Sequence, residues 1–84
     1  MTTPQINSDR LWKSLEEISV FGETPSGGLH RLAASKEDGQ ARDYVVAAAR
    51  ELGCTIRIDA LGNTFMRRAG TDSSAKAILI GSHL

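Results

Sequence analysis

The sequence predicts a small α/β domain, because two amphipathic helical segments are followed by three short strand-like segments. Apolar residues recur at intervals of three and four in the helical segments, whereas the later segments alternate or are apolar throughout. With 84 residues, the chain has the length of one small domain. The predicted order is helix, helix, strand, strand, strand.

The first predicted helix covers residues 7–20, with Asn7 or Ser8 capping its first turn through a side-chain oxygen. One helical stripe of it is apolar and contains Leu11, Leu15 and Ile18. Residues 22–30, GETPSGGLH, are rich in Gly and Pro and predict a flexible connector that possesses no phosphate-binding motif.

The second predicted helix begins at Ser35, with Asp38 three residues later as a variant of the capping box, and ends before Gly53. Gly39 weakens this helix by up to ~1 kcal/mol relative to Ala. The predicted apolar stripe consists of Ala41, Tyr44, Val45, Ala48 and Leu52.

Residues 54–60 alternate between apolar and polar side chains, which predicts a strand with one wet face. Residues 61–63, Leu-Gly-Asn, predict a turn, and residues 64–68 predict the antiparallel partner strand. Residues 77–80, Ala-Ile-Leu-Ile, are apolar on both faces and predict a buried central strand.

Composition excludes several classes of protein. Ten basic and ten acidic side chains give a formal net charge of zero, which argues against binding nucleic acid or an anionic membrane. The sequence contains neither a secretory signal pattern nor an apolar stretch of the ~20 residues that span a membrane, which predicts a soluble, cytoplasmic protein. Cys54 is the single cysteine, and its place in an apolar run predicts a buried, unreactive thiol.

The end of the chain predicts an incomplete sheet. A strand that is apolar on both faces needs neighbouring strands and covering helices, and no crossover helix follows residues 77–80. We therefore expect residues 1–84 to be the N-terminal part of a longer protein; the alternative is a small complete domain with an edge strand. In open α/β sheets, ligands bind beyond the carboxyl ends of the strands, which makes His83 a candidate metal ligand. A hydrogen-bonded structural histidine is the alternative.

Several short motifs, in this order and spacing, resemble the N-terminal part of the N-carbamoyl-L-amino-acid amidohydrolases and of their relatives β-ureidopropionase and allantoate amidohydrolase. These proteins are dinuclear-metal hydrolases of the M20 peptidase type. The matching residues are Phe21-Gly22-x-Thr24-Pro25-x-Gly27-Gly28, Arg31-Leu32-Ala33, Ala41-Arg42-Asp43, Leu52-Gly53-Cys54-Thr55, Asp59-x-x-Gly62-Asn63 and Gly81-Ser82-His83-Leu84.

The resemblance implies that these residues begin an M20-type catalytic domain and stop before most of the active site. His83 is the one metal ligand that it carries over; no catalytic residue lies within the chain, and substrate-binding residues are unassigned. It further implies two divalent metal ions, with zinc favoured over manganese, cobalt or nickel, and a smaller domain that mediates homodimerisation. The implied reaction converts an N-carbamoyl-L-amino acid to the amino acid, ammonia and carbon dioxide, and the 84 residues alone should be inactive.

Other functions remain open from the sequence. Within the same fold, these are an allantoate amidohydrolase or an aminoacylase or peptidase; outside it, a non-catalytic α/β binding module. A nucleotide-binding half-domain is excluded, since no Gly-x-Gly-x-x-Gly turn is present. His30 and Arg31 follow the glycine-rich loop and are candidates to face a substrate carboxylate in the complete enzyme, but we interpret them as exposed loop residues. We interpret Asn63 as a residue that serves the turn.

Overall fold

The structure is a computed structural model and describes residues 3–84. In chain order it contains helix α1 (Ser8–Ile18), helix α2 (Lys36–Glu51), strand β1 (Thr55–Ile58) and strand β2 (Thr64–Arg67). The chain divides into two compact units, the first ending at Ala41 and the second covering Arg42–Leu84, so the boundary falls within α2. The predicted α/β class, with two helices and a β-hairpin, is confirmed.

Helix α1 is capped by Asn7, whose side-chain oxygen accepts a hydrogen bond of 3.0 Å from the backbone N–H of Arg10. This bond satisfies one of the four N–H groups that a helix leaves unpaired at its start. The helix ends at Ile18, two residues earlier than predicted, because the chain tightens there into bonds between residues three apart. On the predicted stripe, Leu11 and Leu15 remain about half exposed, and only Ile18 is largely covered.

Helix α2 begins with the predicted reciprocal arrangement of Ser35 and Asp38. The Asp38 N–H donates to Ser35 Oγ over 3.1 Å, and the Asp38 carboxylate accepts from the backbone N–H of Ala34 over 2.9 Å. In the usual capping box the acid returns to the N-cap residue itself, whereas here it reaches one residue further back. That bond holds Ala34 at φ 63°, a left-handed conformation uncommon for a residue other than glycine. Asp38 is consequently buried.

The buried side of α2 differs slightly from the predicted stripe. Ala41 is fully buried, and Tyr44 and Val45 are partly buried, as expected. Ala49 is buried in place of Ala48, which is exposed, and Leu52 is 61% exposed. The prediction was wrong at these two positions. Leu52 lies in the turn that follows the helix, which ends at Glu51, whereas Ala48 lies within α2 on its exposed side.

Strands β1 and β2 form the predicted antiparallel hairpin, with Ile56 opposite Met66 and Arg57 opposite Phe65. Alternation along the strands gives the hairpin two faces, because directly paired residues point to the same side. On one of them, the Arg57 guanidinium lies 4.2 Å from the centre of the Phe65 ring, a cation–π contact. Cys54, just before β1, is a free thiol that is partly rather than fully buried, which corrects the predicted burial.

The predicted buried strand at residues 77–80 is not present. These residues belong to no helix or strand, and the side chains of Ile78, Leu79 and Ile80 are 93%, 85% and 89% exposed. A strand is held by ladder hydrogen bonds to a neighbour, and the only ladder in the described part of the chain joins β1 to β2. The apolar pattern of residues 77–80 therefore favours a strand, but no neighbouring strand pairs with these residues in the described part of the chain.

Replacing Gly39 by Ala should stabilise the protein. Gly39 lies inside α2 with no atom within 4 Å of the position a Cβ would occupy, so the methyl group meets no clash and reduces the backbone freedom of the unfolded chain. We expect the free energy of unfolding, measured by urea titration, to rise by about 0.5–1 kcal/mol.

Gly53→Ala is the matched control, since it also places its methyl group in open space but at φ 80°, where L-residues are strained. This control should lower the urea midpoint. A lower midpoint for Gly39→Ala as well would contradict the interpretation of residue 39 as an ordinary helical position.

Candidate functional site

His83, the sequence-predicted metal ligand, lies in an exposed terminal segment outside the regular secondary structure. Gly81, Ser82 and Leu84 beside it are also exposed. The structure thus gives His83 no neighbours that test its role, and its assignment as a metal ligand stays a prediction.

A metal pair needs several ligands, and the described residues do not supply them together. Within residues 3–84, no three side chains of His, Cys, Asp or Glu gather in a way that could hold an ion. One imidazole fills a single coordination position, whereas a catalytic zinc takes three protein ligands. The described residues alone therefore do not fit a dinuclear site.

The loop formed by residues 22–30, loop 22–30 hereafter, is closed by its own hydrogen bonds. The His30 N–H donates to the Gly22 carbonyl over 2.7 Å, and Glu23 and Leu29 form an antiparallel bridge. Closer to the tip, the Thr24 N–H donates to the Gly28 carbonyl over 2.9 Å. The predicted connector therefore has an ordered hydrogen-bond pattern of its own, and its flexibility stays a prediction.

Thr24 organises the tip of loop 22–30 by bonding to it from three atoms. Besides its N–H, its carbonyl accepts from the Gly27 N–H, and its Oγ1 accepts from the Gly28 N–H, each over 2.9 Å. Oγ1 also lies 3.1 Å from Ser26 Oγ. A Thr hydroxyl that bonds nearby backbone can replace regular secondary structure, which is how a Gly-rich stretch becomes ordered here.

Gly22 is required by close packing at the base of the loop. A Cβ at this position would lie 2.5 Å from the His30 carbonyl oxygen and 3.1 Å from Arg31 Cβ, and φ is 94°. Both the approach and the backbone conformation therefore favour glycine.

Arg31 follows the loop directly and is bound to the end of α1. Its Nη1 donates to the carbonyl oxygens of Ile18 and Phe21 over 2.9 and 3.0 Å. Arg31 is partly buried rather than exposed as predicted. His30, by contrast, is exposed, as expected. No sequence signal links Arg31 to acceptors 10 and 13 residues away.

Asp59 organises the turn between β1 and β2. Its Oδ1 accepts from the N–H groups of Leu61 and Asn63, and its Oδ2 accepts from Asn63 Nδ2, all within 3.0 Å. The side-chain bond from Asn63, followed by the Asn63 backbone bond, lowers the pKa of Asp59 below 3.8, because these bonds favour the ionised carboxylate. The prediction that Asn63 serves the turn is confirmed.

Arg42, on α2, also bonds to this turn. Its Nη1 donates to the Gly62 carbonyl, and Thr64 Oγ1 lies 3.4 Å from the same nitrogen. The resemblance motifs Ala41-Arg42-Asp43 and Asp59-x-x-Gly62-Asn63 therefore meet in the structure through this contact. Arg42, Asp59 and Asn63 therefore stabilise the hairpin and its turn.

Comparison with known proteins identifies the class. No family model matches the chain. The chain is 42% identical to an N-carbamoyl-L-amino acid amidohydrolase of Geobacillus stearothermophilus, over 94% of this chain and 19% of the relative. It is 35% identical to a ureidoglycolate hydrolase of Oryza sativa subsp. japonica, over 94% of this chain and 16% of that protein.

A solved structure shows the same similarity as these relatives. The crystal structure of a hydantoinase/carbamoylase family amidase from Burkholderia ambifaria matches with a TM-score of 0.88 and 44% identity, over 94% of this chain and 20% of that one. The class of proteins that the chain matches is thus that of the amidohydrolases. Within that class, the chain is similar to the hydantoinase/carbamoylase family, and it spans about a fifth of the length of the relatives it matches. The resemblance drawn from the sequence motifs is confirmed.

Substituting Gly22 by Ala should destabilise the protein more than substituting Gly27. Both residues have positive φ, 94° and 86°, but only Gly22 would clash, since nothing lies within 4 Å of a Cβ at Gly27. The left-handed conformation alone costs about 1–2 kcal/mol, so Gly27→Ala should lower the free energy of unfolding by that amount and Gly22→Ala by more. Urea titration measures both. Equal losses would show that the close approach at Gly22 is relieved at no cost.

The charge on Asp59 should make the hairpin turn sensitive to acid. Because the folded-state pKa lies below the unfolded value of 3.8, the carboxylate stabilises the fold above pH 3.8, and this contribution is lost as the pH falls through the folded pKa. We therefore expect Asp59→Asn to lower the urea midpoint at pH 7, and the difference from the unsubstituted protein to shrink below pH 3.8.

Asp43→Asn is the control for this experiment, because it removes one exposed carboxylate from α2 and no turn bond. A difference between Asp59→Asn and the unsubstituted protein that stays constant from pH 7 to pH 3 would show that the turn does not depend on the ionised form.

Proposed function

We propose that this chain is part of an enzyme that hydrolyses the carbamoyl C–N bond of N-carbamoyl-L-amino acids, giving the amino acid, ammonia and carbon dioxide. The observation that carries the proposal is the 42% identity to an N-carbamoyl-L-amino acid amidohydrolase across 94% of the chain. Three further relatives with the same described activity are 38%, 38% and 39% identical.

Hydrolysis of ureidoglycolate is the second candidate. Relatives from rice and Arabidopsis thaliana with that description are 35% and 32% identical to the chain. Both substrates contain a ureido group, so both require similar hydrogen-bond partners in a binding site. The lower identity ranks this activity second, and allantoate hydrolysis and aminoacylase or peptidase activity follow it.

The experiment is a substrate panel on the full-length enzyme, meaning the complete product of the gene that encodes these residues. We expect kcat/KM to be highest for N-carbamoyl-L-amino acids, above ureidoglycolate, allantoate and N-acetyl-L-amino acids. The highest value for another member of the panel would replace the proposed substrate, and no turnover of any member would overturn the assignment as an amidohydrolase.

We further propose that the full-length enzyme binds two divalent metal ions, zinc being favoured, and that His83 is a ligand of one of them. The support is the residue type and its place in the motif Gly81-Ser82-His83-Leu84, directly after an apolar run. Neutral imidazole is the commonest metal ligand among protein side chains. Residues beyond this chain would complete the site, and a homodimer is the assembly that we expect.

Replacing His83 by Asn in the full-length enzyme should remove about one metal ion per chain, as measured by elemental analysis of the purified protein. It should also lower kcat/KM at least about a hundredfold, because even residues that only support a metal ligand are worth 10–100-fold. His30→Asn is the matched control: the other histidine of the chain is exposed too, and it should keep both metal content and activity. Unchanged metal content in His83→Asn would exclude it as a ligand.

A further inference from the structure

The C-terminal end of α1 lacks a basic residue in its last turn. Helix C-termini carry partial negative charge on carbonyls without intrahelical partners, and cationic side chains stabilise them. At this end Arg31 takes that place: its Nη1 bonds to the carbonyl oxygens of Ile18 and Phe21. A cation thus reaches the helix from 13 residues further along the chain.

Arg31 also forms the exit of loop 22–30. The bond from the His30 N–H to the Gly22 carbonyl closes the loop immediately before it, and a Cβ at Gly22 would touch Arg31 Cβ. Residue 31 is therefore adjacent in the chain to the bond that closes the loop and packs against its base. Fixing the Arg31 side chain at the end of α1 therefore also fixes the base of the loop.

The guanidinium is inserted rather than lying on the surface. Its Nε is buried and has no hydrogen-bond partner among the residues that the structure describes. Hydrogen bonds from a charged donor contribute more to stability than neutral ones do.

We propose that Arg31 is a positioning residue that keeps loop 22–30 in one conformation by binding the C-terminal end of α1. The loop is then a fixed part of the fold rather than a lid that opens and closes. This inference goes beyond the proposed function and does not depend on any substrate, metal or activity.

Hydrogen–deuterium exchange of the full-length protein tests this inference. In Arg31→Met, which keeps the apolar stem and removes the charged donors, amides within residues 22–30 should exchange roughly ten- to a hundredfold faster. Amides of β1, β2 and the last turns of α2 should keep their rates. Arg31→Lys, which restores the charge without the planar group, should give an intermediate rate.

Arg10→Met is the matched control, since the exposed Arg10 lies on α1 and its side chain bonds to nothing that the structure shows. It should leave the loop unchanged. Unaltered loop exchange in Arg31→Met overturns the proposal, as does an equal acceleration in α2 and the hairpin, which would indicate general destabilisation. If Arg31→Met fails to fold, the same comparison is made with Arg31→Lys. In addition, the loop amides of the unsubstituted protein must exchange more slowly than the amides of residues 70–76.

Discussion

Backbone N–H and C=O groups at helix ends and turns need hydrogen-bond partners, and in this chain polar side chains provide many of them. Asn7 and Ser35 cap the two helices, Asp59 bonds to the hairpin turn, and Arg31 bonds to the end of α1. This constraint matters here because few apolar side chains are buried; among the described residues only Ala41 and Ala49 are. Local order therefore depends more on these bonds than on a hydrophobic core.

Several residues of the resemblance motifs make bonds of this kind. Gly22 and Thr24 close loop 22–30, Arg31 fastens it to α1, and Arg42 meets the turn that Asp59 organises. Each of these residues contacts a backbone N–H or carbonyl group, which an amino acid of another shape would not reproduce. Within the described part of the chain, these motif residues thus stabilise the local conformation. His83 is the motif residue for which we propose a chemical role, that of a metal ligand.

The exposed apolar side chains fit a chain that spans about a fifth of its relatives. Leu11 and Leu15 on α1 and the run Ile78-Leu79-Ile80 remain open to solvent, although residues of these types are usually buried. Large apolar patches on a folded protein generally mark surfaces that contact something else. The similarity to hydantoinase/carbamoylase structures at a TM-score of 0.88 shows that the local fold is nevertheless that of the family.

The sequence by itself determined the elements whose causes are local. Both helices, their caps at Asn7 and Ser35, and the hairpin with its Gly-Asn turn follow from side-chain period and from residues that bond to their near neighbours. The resemblance motifs likewise determined the family. Periodicity indicates which face is apolar but not whether another surface covers it, which is why Ala48, Leu52, Cys54 and residues 77–80 were expected to be buried.

Only the tertiary structure decided the contacts between residues distant in the chain. It placed the Arg31 guanidinium on carbonyls 10 and 13 residues away and the Arg42 guanidinium on a carbonyl 20 residues away. It also showed loop 22–30 to be closed, whereas its Gly and Pro content indicated flexibility. A long side chain has many acceptors within reach, and the path of the backbone selects among them, so such pairings become known only once the chain is folded.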